Sequence, residues 1–140
     1  MAIATALLSA YAATDFVVFD RGEEWALKVG IAAPRIDTLL HRFGASRATI
    51  VTAFNPRSRV LAPEQNAARH GELVRLLEAR RVPFLTGEGR DPNGHWIAET
   101  ECVVFGISLD EGLALARRFD QNAVVFIERG KAPRLEFPEG

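Results

Sequence analysis

Residues 48–56 read ATIVTAFNP, an almost unbroken run of apolar and β-branched side chains that stops at Asn55-Pro56. A strand with one wet face alternates apolar and polar residues, so a continuous run predicts a strand covered on both faces, near the middle of a sheet. Pro56 cannot continue a ladder, and it favours an extended backbone for the residue before it. Asn55 is therefore expected to stand extended at the C-terminal end of a central strand.

Working outward, the upstream chain holds DFVVFD (15–20), a turn at Arg21-Gly22-Glu23, and a returning strand from Trp25 to Val29. Pro34 opens a helix whose apolar stripe is Ile36, Leu39, Leu40 and Phe43, and Gly44 ends it. Downstream, a polar loop leads to Pro63, which opens a long helix running to Arg81 with Leu73, Leu76 and Leu77 on its buried face. Phe84 to Thr86 starts a strand, residues 87–94 (GEGRDPNG) are dense in turn formers, and His95 to Ile107 reads as one long strand. Ser108 and Glu111 form a capping box for a helix to Phe119. Ala123 to Glu128 and Pro133 to Phe137 complete a terminal hairpin over 123–137. An Ala-rich segment, 3–12, supplies an N-terminal helix within residues 1–12. The predicted order is α-β-β-α-β-α-β-β-α-β-β: one domain over 1–140, α/β in content and of the α+β type, with a mixed β-sheet and helices packed on it.

Composition narrows the classes. The chain has 140 residues, 48% hydrophobic and 25% charged, the balance of a folded globule. No apolar run reaches the roughly 20 residues of a membrane span. The lone Cys102 excludes an internal disulfide framework. No positive charge precedes the short apolar N-terminal stretch, so a secretory leader is not expected and a cytoplasmic location follows. The net charge of −1 hides 15 Arg against 2 Lys, with a local excess of Arg from Pro34 to Arg81. Arginine suits bidentate recognition of anions. Without interleaved aromatics the excess does not predict nucleic-acid binding.

Polar residues interrupt the apolar pattern in two places. On the long helix the stripe of Leu73 and Leu77 continues backward to His70 and Asn66, so the core-facing side turns polar near the helix start. That start follows the Asn55 end of the central strand, and the two asparagines are expected to share one pocket whose wall Glu99 or Gln121 completes. On the strand after residue 95, Glu99 and Glu101 share a face, about 7 Å apart. Asp91-Pro92-Asn93-Gly94-His95 reads as a tight turn, so no metal and no cofactor are expected. Cys102 lies among apolar neighbours and reads as a buried, inert thiol.

Several of these segments together form a pattern: Tyr11-x-x-Thr14-x-Phe16, Thr52-Ala53-Phe54-Asn55-Pro56 with Ser58, Asn66, Trp96-x-x-Glu99, and Phe119-Asp120-Gln121-Asn122-Ala123. The pattern resembles the bacterial family called domain of unknown function thirty-two ninety-three, over about Tyr11 to Phe126. That family more often carries Trp at the position of Phe54, Tyr near Phe16 and Ser at the position of Glu101. Its name implies no activity, so the resemblance bears on the site residues and not on the chemistry.

The leading expectation is a small-molecule or nucleotide-binding domain with an amide-lined pocket. Asn55, Asn66, Gln121 and Asn122 would orient a small anionic ligand, Glu99 would line the pocket, Arg57 or Arg69 would meet the charge, and Phe54 would stack on a ring. One alternative is a hydrolase with Glu99 as the catalytic acid/base. Another is an interaction module that pairs through its terminal hairpin, for instance as a homodimer.

Overall fold

The computed structural model describes residues 5–138. The chain runs α1 (Thr5–Ala13), β1 (Asp15–Asp20), β2 (Glu23–Leu27), α2 (Pro34–Arg42), β3 (Arg47–Thr52), a short 3-10 turn (Pro56–Ser58), α3 (Pro63–Ala79), β4 (Phe84–Arg90), β5 (Glu99–Phe105), α4 (Leu109–Arg118), β6 (Val124–Glu128) and β7 (Arg134–Glu136). Residues 1–4, the start of the expected N-terminal helix, lie outside the described residues, as do 139–140. Local chemistry sets the helix ends. Pro34 and Pro63 occupy first turns. Ser108 Oγ accepts from the Glu111 N–H at 3.1 Å while the Glu111 carboxylate accepts from the Ser108 N–H at 2.9 Å. Gly44, at φ 63°, takes the left-handed position after α2.

The seven strands form one curled sheet in the order β2-β1-β4-β5-β3-β6-β7, an α+β single domain. The sheet is not mixed as expected: every pairing is antiparallel. Both helical crossovers skip a strand. The α3 connection carries β3 to β4 with β5 between them, and the α4 connection carries β5 to β6 with β3 between them. The inserted strand runs against both neighbours, which is the split βαβ arrangement of ferredoxin-like folds, extended here by the β1–β2 hairpin on one side and β7 on the other.

β3 is covered on both faces, as its composition requires. Ala48 and Ile50 join a core with Phe16, Val18, Val103, Phe105 and the α2 residues Ile36, Leu39 and Leu40. Val51 and Ala53 join a second core with Cys102, Val104 and the helix residues Leu73, Leu77, Leu115 and Ala116. Burial of each such Leu or Ile contributes about 1.5–3 kcal/mol.

Two expected boundaries move, and both moves shape the site. β4 does not end at Thr86 but runs through Gly87 and Gly89 to Arg90. A Cβ on Gly87 would lie 2.3 Å from the Val17 carbonyl oxygen, so this glycine serves close strand approach and not a turn. β5 begins only at Glu99. Before it, the Asp91 carboxylate accepts from the Asn93 and His95 N–H groups and holds the loop open, leaving Ile97 87% exposed.

Candidate functional site

The chain leaves β3 through a tight relay. Thr52 Oγ donates to the Thr100 carbonyl at 2.7 Å and accepts from the Phe54 N–H at 3.0 Å. Asn55 then departs from the extended form that Pro56 favours: it is left-handed, φ 45° and ψ 68°. Its own hydrogen bonds account for this. The Asn55 N–H donates to Asn66 Oδ1 (2.9 Å), its Nδ2 donates to Glu99 Oε2 (2.6 Å), and its Oδ1 accepts from the Leu61 N–H (3.0 Å) and from Asn66 Nδ2 (2.8 Å). A left-handed non-glycine residue costs about 1–2 kcal/mol, with Asn among the cheapest. Four bonds at about 0.5–1.5 kcal/mol each outweigh it.

The loop is anchored from the other side as well. Arg57 N–H donates to the Asp120 carbonyl at 2.8 Å. Gln121 Nε2 donates to the carbonyls of Phe54 (2.9 Å) and Phe119 (3.1 Å), and Asn122 Nδ2 donates to Ser58 Oγ (3.0 Å). The Arg69 guanidinium reaches the Ala53 carbonyl at 2.6 Å and also the Phe119 carbonyl. Buried carbonyls at the two loop ends thus find donors, as buried polar groups must.

A cleft of about 510 Å³ opens at this end of the sheet. Asn55, Glu99, Gln121 and Asn122 line it, and Asn66 sits behind Asn55 as its hydrogen-bond partner. Phe54, Arg57 and Arg69 are not among the lining residues. Phe54 instead meets His70 edge to face, with ring centroids 6.4 Å apart. Among the described residues no Arg or Lys lines the wall, which departs from the expected meeting of an arginine with an anionic ligand.

The floor carries the two glutamates. Glu99 and Glu101 face the cleft together, and across the sheet Gly89 pairs with Glu99 and Gly87 with Glu101. Gly89 leaves room above the carboxylates where a side chain would stand, while Gly87 lets the β1 backbone come close. Glu101 is 4% exposed, and its Oε1 meets no hydrogen-bond donor among the described residues. Burial, and then the charges of Glu99 and Glu88, hold its pKa well above the usual carboxylate range. Burial also raises Glu99, against the opposing hydrogen bond from Asn55. The Tyr11 phenol is pushed up to about 12 by burial and by Glu99. Cys102 is fully buried, its thiol pushed up to about 12 by burial and by Glu101. No group of three or more His, Cys, Asp or Glu that could hold a metal ion occurs among the described residues.

Tyr11, Thr14, Gly89 and Trp96 also line the cleft, although the sequence does not mark them as pocket residues. The available signal was the Gly87-x-Gly89 alternation, which on a strand puts both glycines on one face.

Fold and site together define an α+β protein built on a split βαβ sheet, with a polar-floored cleft beyond the C-terminal end of β3. The family model described as Protein of unknown function (DUF3293) matches residues 51–124, more than half of the chain, and the protein belongs to that family. The match takes in Asn55, Asn66, Glu99, Gln121 and Asn122, and leaves Tyr11, Thr14 and Phe16 outside it. No curated protein and no solved structure matches the chain. No helix among the described residues is long and apolar enough to cross a membrane.

Proposed function

We propose that this protein binds a small organic molecule in the cleft. The observation that carries the reading is a pre-braced polar edge on a hollow with largely apolar walls: Asn55, tied to Glu99 at 2.6 Å and to Asn66 at 2.8 Å, stands beside a wall that includes Leu7, Phe16, Ile50, Val60 and Trp96. A volume of about 510 Å³ falls within the usual range for small-molecule sites. Apolar walls supply affinity, and a few fixed polar groups supply orientation. A nucleotide fits less well than the general class, because its phosphates would meet glutamates where they need cations.

A thermal-shift screen of small aromatic and aliphatic fragments of all three charge types tests this. Several fragments should raise the melting temperature, and Trp96→Ala, at the half-exposed edge of the cleft, should weaken their binding about tenfold while the protein stays folded. A screen in which no fragment raises the melting temperature contradicts the reading.

A further inference from the structure

The hydrogen-bonding capacity of the cleft is lopsided. Asn55 Nδ2 is bonded to Glu99, Asn122 Nδ2 to Ser58, and Gln121 Nε2 to two backbone carbonyls. Thr14 and Thr52 hydroxyls donate to the carbonyls of Ala10 and Thr100. These amide and threonine donors are used inside the protein, while the carboxyl groups of Glu99 and Glu101 stand on the floor as acceptors. Glu101 is the decisive one: it lines the cleft, is 4% exposed, and has an oxygen without a partner among the described residues. A buried carboxyl without a partner is costly, and a bound donor removes that cost.

We propose that the Glu99–Glu101 floor is a subsite for a protonated primary amine carried on an apolar or aromatic body. The inference rests on the small-molecule reading and specifies its ligand class. An ammonium group is compact, brings three donors and matches the sign of the site. The body would lie against Trp96, Ile97 and Val60, and the Tyr11 and Trp96 rings favour a nearby cation. A hard metal ion suits the site less, since it asks for six or more oxygen ligands and two carboxylates are offered.

Binding carries a proton balance. In the empty cleft burial, and then the facing charges of Glu99 on β5 and Glu88 on β4, favour the protonated form of Glu101 over the carboxylate. The other titratable groups nearby are the Tyr11 phenol on α1, the buried Cys102 thiol, and His95 at the cleft wall beside Asp91. When the ammonium arrives, the carboxylate becomes the favoured form and the proton passes to solvent. One cation enters and one proton leaves.

The test uses three probes of similar shape on the full chain: 2-phenylethylamine, 2-phenylethanol and 3-phenylpropionate, each at up to about 10 mM, followed by the NMR shifts of the Gly89 amide and the Trp96 indole. The amine should bind at least about tenfold more tightly than the alcohol, and the carboxylate weakest of the three. Amine affinity should rise with pH, by up to about tenfold per unit while free Glu101 stays protonated, and calorimetry in two buffers should record proton release. Glu101→Gln should bring amine and alcohol to equal affinity. An alcohol that binds as tightly as the amine, or an amine affinity that is flat with pH, overturns the ammonium subsite and leaves the small-molecule reading standing. Cleft resonances that none of the three probes moves overturn both. Should Glu101→Gln not fold, the three-probe comparison on the unaltered chain decides the question.

Discussion

Asn55 is held by four hydrogen bonds in a backbone conformation that its proline neighbour disfavours. Its convergence with Asn66 and Glu99 was legible in the sequence, because a strand end, a helix stripe and a strand face each placed one of them. Its left-handed backbone was not, since the pre-proline rule describes the residue alone and the side-chain bonds that override it come from distant segments. Asn55→Ala should cost about 1–3 kcal/mol in urea unfolding, because the Leu61 N–H, Asn66 and Glu99 lose their partner together. A variant as stable as the parent would show that the bonds are dispensable. Glu101 gives a pH-dependent counterpart. Its folded pKa lies above its unfolded value, so the native state binds more protons in the interval between them. Stability contributed at low pH is then lost as pH rises from about 4.3 through the raised value. Glu101→Gln removes that loss, and its melting temperature relative to the parent should improve between pH 5 and pH 8. A difference that stays constant with pH would mean that Glu101 ionises like an exposed carboxyl.

At the scale of elements, the glycines of β4 separate two roles. In sequence the stretch from Gly87 reads as a turn because glycine, aspartate and proline crowd together there, and composition does not distinguish a bend from a place where two backbones come close. A Cβ on Gly87 would collide with the Val17 carbonyl at 2.3 Å, whereas a Cβ on Gly89 would meet Glu101, Thr14 and Trp96 at 3.6–4.0 Å, ordinary contact. Gly87→Ala should therefore destabilise the β1–β4 pairing by about 1–3 kcal/mol or more, the cost of forced overpacking. Gly89→Ala should unfold within about 1 kcal/mol of the parent and weaken fragment binding by filling the space above the glutamates. Equal stabilities for the two variants, measured by chemical denaturation, would contradict the strand packing. The start of β5 differs from its sequence pattern for a related reason: Trp96 and Ile97 are apolar enough to extend a strand, yet the Asp91 turn keeps them in the loop.

For the whole molecule, the succession of helices and strands was legible from periodicity and punctuation, and the strand order was not. A crossover that skips a strand leaves no local mark, because the pairing partner lies elsewhere in the chain. One edge of the sheet depends on its last strand: β7 pairs with β6, Leu135 packs on the first core, and the Pro133 carbonyl accepts from the Gly30 N–H at 2.8 Å. Truncation after Arg129 should lower the melting temperature of the entire protein in one cooperative transition. A truncated chain that melts like the intact one would place β7 outside the cooperative unit. The chemistry of the cleft turns on the Glu101 carboxyl, and its titration can be followed directly through the side-chain carboxyl carbon in carbon-13 NMR of the intact chain. The Glu101 carbon should titrate at higher pH than those of Glu111 and Glu128, whose pKa values are lowered by their hydrogen bonds to Ser108 and Arg134, and adding 2-phenylethylamine should shift that titration downward. A Glu101 carbon that titrates together with those two glutamates, and ignores the amine, would contradict a buried carboxyl awaiting a cationic partner.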